Sequence, residues 1–373
     1  MFEQKKITYK MKLLSSLAKV FQDEEPVYQM ECQTLSALWG ETVSFQAAYT
    51  GDFFMRERLD VEVVSPLKDY IRVRTVEQVP VGRATNGIVD DNYLRTEPGL
   101  YPDLLRDVKE GKVIVCSNQW RSLWIDIEVT KDIAPGNYEI ELRLKKEGDV
   151  VTSAKQRLTV IGVELPKQKI MHTEWMHADC LADYYHVDVF SEEHWKILEN
   201  YFKEYVKRGC NMMLTPLFTS PLDTAVGLER TTTQLIKVEV VKGEYRFDFS
   251  KLKRWIDLCK KCGIEYYEMS HLFSQWGAKY APKVVAEVDG KEEKIFGWHT
   301  PAVGEYTRFL KAFLPQLIEK LKEWNIDQVT YFHISDEPRE EHLESYRAAK
   351  ESLGNMLDGF HTFDALSSYE FYR

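Results

Sequence analysis

Two adjacent carboxylates, Asp336 and Glu337, are the residues of this sequence best suited to acid–base chemistry. They follow the run 328–335, whose apolar residues predict a buried strand, and they precede Pro338. In proteins that alternate strands and helices around a barrel, catalytic side chains gather where strands end, and two carboxylates there could divide proton transfers between them. The alternative is that both residues merely cap the next helix, with Pro338 in its first turn.

The adjacency of the two carboxylates restricts the mechanism. Side chains at neighbouring positions of an extended segment point apart, whereas an ordinary retaining glycosidase places its carboxyls about 5–5.5 Å apart across one bond. The pair fits better if Glu337 protonates a leaving oxygen while Asp336 acts on another part of the substrate. Substrate-assisted hydrolysis is such a reaction, because there the 2-acetamido oxygen of the sugar attacks the anomeric carbon and a carboxylate stabilises the charged intermediate.

Further polar and aromatic side chains follow the other predicted strands, where a substrate would be bound. These substrate-binding candidates are His177, Asp179, His271, Gln275, Trp276, Trp298, His333 and Asp364. Trp276 and Trp298 lie beside glycines on long loops and could stack on a sugar ring. His333 could equally be a hydrogen-bonded histidine of the core.

Two patterns could suggest a metal site, and neither is complete. His177 with Asp179 lacks a third ligand at usable spacing. Cys259 and Cys262 form a C-x-x-C pattern, but they continue the apolar face of a predicted helix, and no second Cys/His pair follows. We therefore expect no metal at either pattern.

The first part of the chain, residues 1–165, has the pattern of an antiparallel β-sandwich. In 125–130 and again in 138–145, apolar and polar residues alternate, and the turn Pro135-Gly136-Asn137 lies between these segments. Short strands at this spacing are typical of sandwiches. This region carries no catalytic constellation, so we interpret it as an accessory domain.

From 166 to 373 the pattern changes to buried runs separated by amphipathic helices, which indicates parallel βα units. Five strands are expected, at 170–177, 211–217, 264–270, 328–335 and 357–363. Four complete helices are expected between them, with Ser191 capping one helix and Pro315 kinking or dividing another. A doubly wound open sheet and the first part of a (β/α)₈ barrel both fit. We prefer the barrel, apparently truncated after about five strands, because no G-x-G-x-x-G or phosphate-binding loop follows the first strand.

Several motifs resemble glycoside hydrolase family 123. They are WMHADCLADYY (175–185), FSEEHW (190–195), NMMLTP (211–216), SHLFSQWGA (270–278), FGW (296–298) and Asp336-Glu337-Pro338. Members of that family are retaining exo-β-N-acetylgalactosaminidases with a sandwich before a (β/α)₈ barrel. The resemblance implies Glu337 as general acid/base, Asp336 as the residue that orients the acetamido group, and no cofactor. The family's barrel continues beyond the pattern found in this sequence, which puts the activity of the chain in question.

Composition and charge narrow the possible partners. Lys and Arg number 49 against 59 Asp and Glu, and the net charge of −10 argues against nucleic acid or an anionic membrane surface. The 9 Trp, 20 Tyr and 18 Phe suit a rich core and also a sugar-binding cleft. The N-terminal run 13–18 is too short and too close to Lys19 for a signal peptide or a membrane span, so we expect a cytoplasmic protein.

The leading hypothesis is a glycosidase that releases terminal β-linked N-acetylgalactosamine from glycans or glycolipids by substrate assistance. The alternatives are a non-catalytic carbohydrate-binding or inactive fragment of such an enzyme, and a hydrolase with an ordinary carboxylate nucleophile. The oligomeric state is not predicted.

Overall fold

The computed structural model describes residues 7–26, 34–52, 56–87, 89–222, 224–225 and 227–372. The chain divides into two compact units, Met1–Lys167 and Gln168–Arg373. No helix in these described ranges is both long and apolar enough to cross a membrane. Short 3₁₀ turns occur at Lys68–Tyr70, Lys109–Gly111, Asp327–Val329, Glu340–His342 and Tyr369–Tyr372.

The described residues of the first unit form ten strands in two sheets. The strands are β1 (Thr8–Ser15), β2 (Thr34–Trp39), β3 (Thr42–Asp52), β4 (Glu57–Val64), β5 (Ile71–Val81), β6 (Gly99–Asp107), β7 (Lys112–Val115), β8 (Arg121–Glu128), β9 (Gly136–Lys146) and β10 (Asp149–Glu164). One sheet has the order β1-β3-β8-β5-β6 and the other β2-β10-β9-β4-β7.

The two sheets share one hydrophobic core, as the alternating sequence pattern requires. Phe45 and Ile125 from one sheet and Leu142 and Leu158 from the other are fully buried in it. The expectation of a wholly antiparallel sandwich is wrong at one pair, because β2 and β10 run parallel. These strands are far apart in sequence, and the chain between them leaves β2 free to enter the sheet in either direction.

The second unit alternates helices with a parallel sheet. Its elements in chain order are α1 (Ala178–Tyr185), α2 (Glu192–Lys207), β11 (Met212–Thr215), β12 (Lys237–Val241), β13 (Glu244–Asp248), α3 (Ser250–Cys262), β14 (Tyr266–Met269), β15 (Val284–Val288), β16 (Lys291–Phe296), α4 (Glu305–Glu323), β17 (Thr330–Phe332), α5 (Leu343–Ser352) and β18 (His361–Thr362). The parallel sheet has the order β11-β14-β17-β18. Its strands are short, and the residues of β11 and β14 are almost entirely buried, as expected beneath covering helices.

A second sheet, of order β13-β12-β15-β16, was not predicted. It is built from two hairpins, one inserted before α3 and one before α4, and a parallel contact between β12 and β15 joins them. The alternation in these strands is weak, since β13 and β16 are largely exposed. The joining of the two hairpins into one sheet therefore depends on a contact between β12 and β15, which lie about fifty residues apart along the chain.

Three expectations about the second unit need correction. The predicted first strand, 170–177, makes only a single bridge between Thr173 and Met212, so the described residues form four parallel strands and no closed barrel. The predicted strand 357–363 shortens to β18. Pro315 does not divide α4, because Phe313, Leu314 and Leu317 around it are fully buried and hold the helix against the core. The expected cap at Ser191 is confirmed, since its side chain accepts a hydrogen bond from the His194 backbone N–H.

Candidate active site

Polar side chains meet at the carboxyl ends of β14, β17 and β18. Glu268 lies on β14, His271 follows that strand, His333 follows β17, and Asp364 follows β18. Parallel pairing of β14 with β17, and of β17 with β18, ends all three strands at one edge of the sheet. This edge is where α/β enzymes hold their active sites.

Glu268 lies at the centre of this group and is fully buried. Its carboxylate accepts hydrogen bonds from Thr173 Oγ1 at 2.7 Å and from Trp175 Nε1 at 2.6 Å. His333 Nε2 lies 2.5 Å from the same oxygen that Trp175 contacts. A buried carboxylate persists only with such partners. Glu268 is not among the predicted site residues, because 264–270 has the pattern of a plain buried strand, although an acidic residue inside such a strand is itself a signal.

His333 is held between two carboxylates. Its Nε2 faces Glu268, and its Nδ1 lies 3.1 Å from Asp364 Oδ1. Burial lowers the pKa of His333, but the hydrogen bonds to Asp364 and Glu268 outweigh that effect and raise the pKa to about 9. The ring is therefore an imidazolium at neutral pH and donates from both nitrogens.

Asp364 ties this group to the backbone that leads into the carboxylate pair. It accepts hydrogen bonds from the backbone N–H of Ile334 at 3.0 Å and of Ser335 at 3.3 Å. The Tyr346 hydroxyl donates to its other oxygen at 2.6 Å, and burial together with this carboxylate raises the pKa of Tyr346. The conformation of 333–335 is thus set by a buried acid on the neighbouring strand.

His271 stacks on His333 without a hydrogen bond of its own. The ring centroids are 4.1 Å apart with planes inclined by 21°, and Trp175 lies edge-on at 5.2 Å. Among the described residues, neither ring nitrogen of His271 has a hydrogen-bond partner. Burial, then the charges of His333 and His177, lower its pKa well below the ordinary value, so His271 is neutral.

Asp336 and Glu337 lie just beyond His333 on the same loop. Asp336 is half-buried and Glu337 is exposed. Glu337 has a φ of +41°, in the left-handed region that non-glycine residues rarely adopt and that is enriched at functional sites. The expectation of an extended pair is therefore wrong at Glu337. The helix-capping alternative is also wrong, because the following helical segments begin at Glu340 and Leu343.

The loop after β14 holds the loop that carries the carboxylates. The backbone N–H of Trp276 donates to the Asp336 carbonyl at 2.8 Å. The Ser335 hydroxyl donates to the Ser274 carbonyl at 2.8 Å and accepts from the Ala278 N–H at 3.2 Å. These bonds fix the backbone position of Asp336.

Comparison with known proteins identifies the family. A sequence model described as "Glycoside hydrolase 123, catalytic domain" matches residues 175–373. The chain belongs to glycoside hydrolase family 123. No curated protein matches it at a significant level.

A solved structure of a family 123 glycoside hydrolase from Clostridium perfringens, described in terms of glycolipid glycan hydrolysis, has the same fold. It is similar over 98% of this chain with a TM-score of 0.71 and 18% identity, and the chain spans 66% of its length. A putative glycoside hydrolase from Bacteroides vulgatus covers 90% of this chain and is covered to 56%, at 9% identity and a TM-score of 0.29. A β-glucosidase from Listeria innocua covers 43% and is covered to 17%, at 11% identity and a TM-score of 0.21. The last two scores are too low to show a shared fold.

Three of the residues predicted to bind substrate in this family 123 chain contact described residues between 219 and 235. Asp179 is buried and forms a two-point ion pair with Arg230, at 2.7 and 3.0 Å. The Gln275 side chain donates to the Thr224 carbonyl at 2.7 Å. Trp298 Nε1 donates to the Leu228 carbonyl at 3.0 Å. These contacts place those residues, and a direct role in binding substrate stays a prediction.

The other predicted residues lie nearer the buried acids. His177 precedes α1, half-buried, and its charge acts on His271. Trp276 is 41% exposed, with a φ of +57°. His271, His333 and Asp364 are brought together. Trp298 and Asp179 instead contact Leu228 and Arg230, as described above.

The side chains of the family 123 site do not form a convincing metal centre. Within the described ranges, His271, His333 and Asp364 place one ligand atom each within 4.8 Å of one another. However, the two imidazoles are stacked, so their in-plane lone pairs run side by side and do not converge on one ion. Both nitrogens of His333 also face carboxylates already. Asp179 is engaged by Arg230, and Cys259 and Cys262 are free thiols on α3, with their pKa values raised by burial.

Proposed function

We propose that this family 123 chain hydrolyses the bond of a terminal β-linked N-acetylgalactosamine, in a glycan or glycolipid, with retention of configuration. The observation that carries the proposal is the position of Asp336-Glu337 at the carboxyl edge of the parallel sheet, inside a matched glycoside hydrolase domain. We further propose that this sheet belongs to an incomplete (β/α)₈ catalytic barrel over 166–373 and that 1–165 is an accessory domain. The Clostridium perfringens structure supports the glycolipid as a substrate class.

The proposed reaction has two steps. In the first, the Glu337 carboxylic acid donates its proton to the leaving glycosidic oxygen, while the substrate's acetamido oxygen attacks the anomeric carbon and breaks that bond. Asp336 orients the acetamido group and stabilises the positive charge of the oxazoline-like intermediate. In the second step, the Glu337 carboxylate takes a proton from water, and the water oxygen attacks the anomeric carbon. This breaks the bond between the anomeric carbon and the acetamido oxygen and restores the acetamido group.

The geometry of the loop supports these separate roles. The Asp336 backbone is fixed by the Trp276 N–H, and the side chain is half-buried, where a carboxylate interacts more strongly with a nearby charge. Glu337 is exposed, so the water that its carboxylate deprotonates in the second step can reach it. The left-handed conformation at Glu337 turns its side chain away from the direction that an extended chain would give it.

The proposal is tested with a chromogenic β-N-acetylgalactosaminide and the variants Glu337→Gln and Asp336→Asn. Each should lower kcat/KM by about 100-fold or more, because each removes a group that acts in the transition state. Glu340→Gln, an exposed acid on the same loop, is the matched control and should stay within about 3-fold. Full activity in both test variants would refute the assignment.

Two further measurements separate the alternatives. A β-galactoside without the 2-acetamido group should be cleaved at least about 100-fold more slowly, because it cannot supply the nucleophile. Comparable cleavage would favour an ordinary carboxylate nucleophile. Calorimetric binding of N-acetylgalactosamine without turnover would favour a carbohydrate-binding protein.

A further inference from the structure

We propose that Glu268 is a positioning residue of this site: its carboxylate fixes Trp175 as an aromatic wall for the sugar and fixes His333 beneath the loop that carries Asp336 and Glu337. The inference rests on the proposed function, since it assigns a role in sugar hydrolysis to a residue on a neighbouring strand. Glu268 itself is fully buried and does not reach solvent. It therefore acts through the two rings that it holds.

The first ring is that of Trp175. Its Nε1–H donates to Glu268 Oε1 at 2.6 Å, while 37% of the residue remains exposed. The indole lies edge-on to both His271 and His333, with centroids 5.2 and 5.9 Å away. An indole anchored at its nitrogen and open on the remaining surface is suited to packing against the apolar face of a pyranose.

The second ring is that of His333. Because it donates to both Glu268 and Asp364, it links the acid on β14 to the acid after β18. Asp364 in turn accepts from the backbone N–H of Ile334 and Ser335, the two residues before Asp336. A continuous chain of hydrogen bonds thus runs from Glu268 to the backbone of the proposed catalytic loop.

The negative charge of Glu268 helps to keep His333 protonated. The groups that face His333 are Glu268 from β14, Asp364 after β18, and the neutral ring of His271, with His177 and Tyr346 beyond them. Two carboxylates stabilise the doubly protonated ring, which can then donate on both sides at once. With only one carboxylate, the ring loses its proton more easily and one of the two links is broken.

The variant Glu268→Gln tests this role because it removes the charge and can keep the contacts. Its amide oxygen can accept from Trp175 and His333, and its NH₂ can donate to the Thr173 hydroxyl. We expect the protonation midpoint of His333, followed by ¹⁵N NMR of the imidazole, to fall by about one pH unit or more when one charged partner is lost. The kcat for the β-N-acetylgalactosaminide should fall by about 10-fold or more with KM within about 3-fold, as for an interaction felt at the catalytic loop.

Two further variants separate the two rings from a general effect on the fold. Trp175→Phe keeps an aromatic ring but not the N–H, and it should raise KM by about 10-fold with kcat within about 3-fold. Glu244→Gln removes an exposed acid on β13, outside the hydrogen bonds that link these groups, so it should leave the His333 midpoint, kcat and KM nearly unchanged. Circular dichroism and thermal unfolding confirm that each variant is folded.

The result that would overturn the inference is a His333 midpoint and kinetics in Glu268→Gln that match those of Glu244→Gln. A neutral His333 in the wild-type protein at pH 7.5 would also overturn it, whether or not the Gln variant folds. If the wild-type protein hydrolyses no N-acetylgalactosaminide, the proposed function fails. The NMR comparison then decides alone: a lowered midpoint keeps Glu268 as the residue that positions His333, and an unchanged one removes it.

Discussion

At the scale of single residues, the site is organised by ionisable groups buried beside one another. Glu268, His333 and Asp364 form a row in which the imidazolium lies between two acids, and His271 stacks on that imidazolium as a neutral ring. The pKa of His271 is lowered, whereas the pKa of His333 is raised. Burial dominates for His271, whereas hydrogen bonds to carboxylates dominate for His333. Their titrations therefore affect folding in opposite ways.

These opposite shifts predict that the free energy of unfolding is greatest near pH 6.5. Because the pKa of His333 is raised to about 9, its contribution is fully present below the unfolded value of about 6.5 and is lost as the pH rises through about 9. A pKa shift of this size contributes on the order of 3 kcal/mol to the free energy of unfolding. The pKa of His271 is lowered, so the folded protein loses stability as the pH falls below about 6.5, where the unfolded chain takes up the proton.

The measurement is urea unfolding of the full chain from pH 5.5 to 10. His333→Gln should remove the decrease between pH 7 and 9.5, whereas His299→Gln, an exposed histidine, should leave it in place. An unchanged decrease in His333→Gln would show that another group causes it.

At the scale of elements, the loop after β14 combines an unusual backbone with close packing. Trp276, Gly277 and Ala278 all have positive φ, at 57°, 102° and 55°. A Cβ on Gly277 would lie 2.6 Å from the Cβ of His342, which belongs to the turn after the proposed catalytic loop. The glycine is needed both for its backbone conformation and for this close approach.

We therefore predict that Gly277→Ala destabilises the chain by about 2–4 kcal/mol, from backbone strain and the clash together. Gly290→Ala is the matched control, since its φ is +80° but the space around a Cβ is open, and it should cost only about 1 kcal/mol. Urea unfolding gives both values. Equal losses in the two variants would mean that contact with His342 plays no part.

At the scale of the whole molecule, the sequence pattern predicts the alternation of strands and helices better than it predicts which distant strands pair. The helix cap at Ser191 and the strands of the first unit follow from local periodicity. The second sheet does not, because β12 and β15 meet through a contact between segments that each look like ordinary hairpins. Glu268 was missed for a similar reason: its partners Thr173, Trp175 and His333 come from distant segments, and only the fold brings them together.

Phe309 on α4 connects the two sheets of the second unit, and this gives a prediction for that unit as a whole. Its ring contacts Phe218 after β11, Tyr245 and Phe247 on β13, and Phe296 on β16, with centroid distances of 5.0–5.6 Å. It is fully buried in the core that both sheets share. Phe309→Ala should therefore cost about 3–5 kcal/mol, since it leaves a cavity bordered by both sheets.

Hydrogen exchange can show whether the loss of stability in Phe309→Ala affects both sheets of the second unit. In Phe309→Ala, amides of β12 and β13 and amides of β14 and β17 should all lose protection by a similar factor, because one core supports them. Leu228→Ala, at a residue that is 62% exposed, is the control and should change neither set. Loss confined to β12 and β13 would mean that the inserted sheet opens on its own, without unfolding of the parallel sheet.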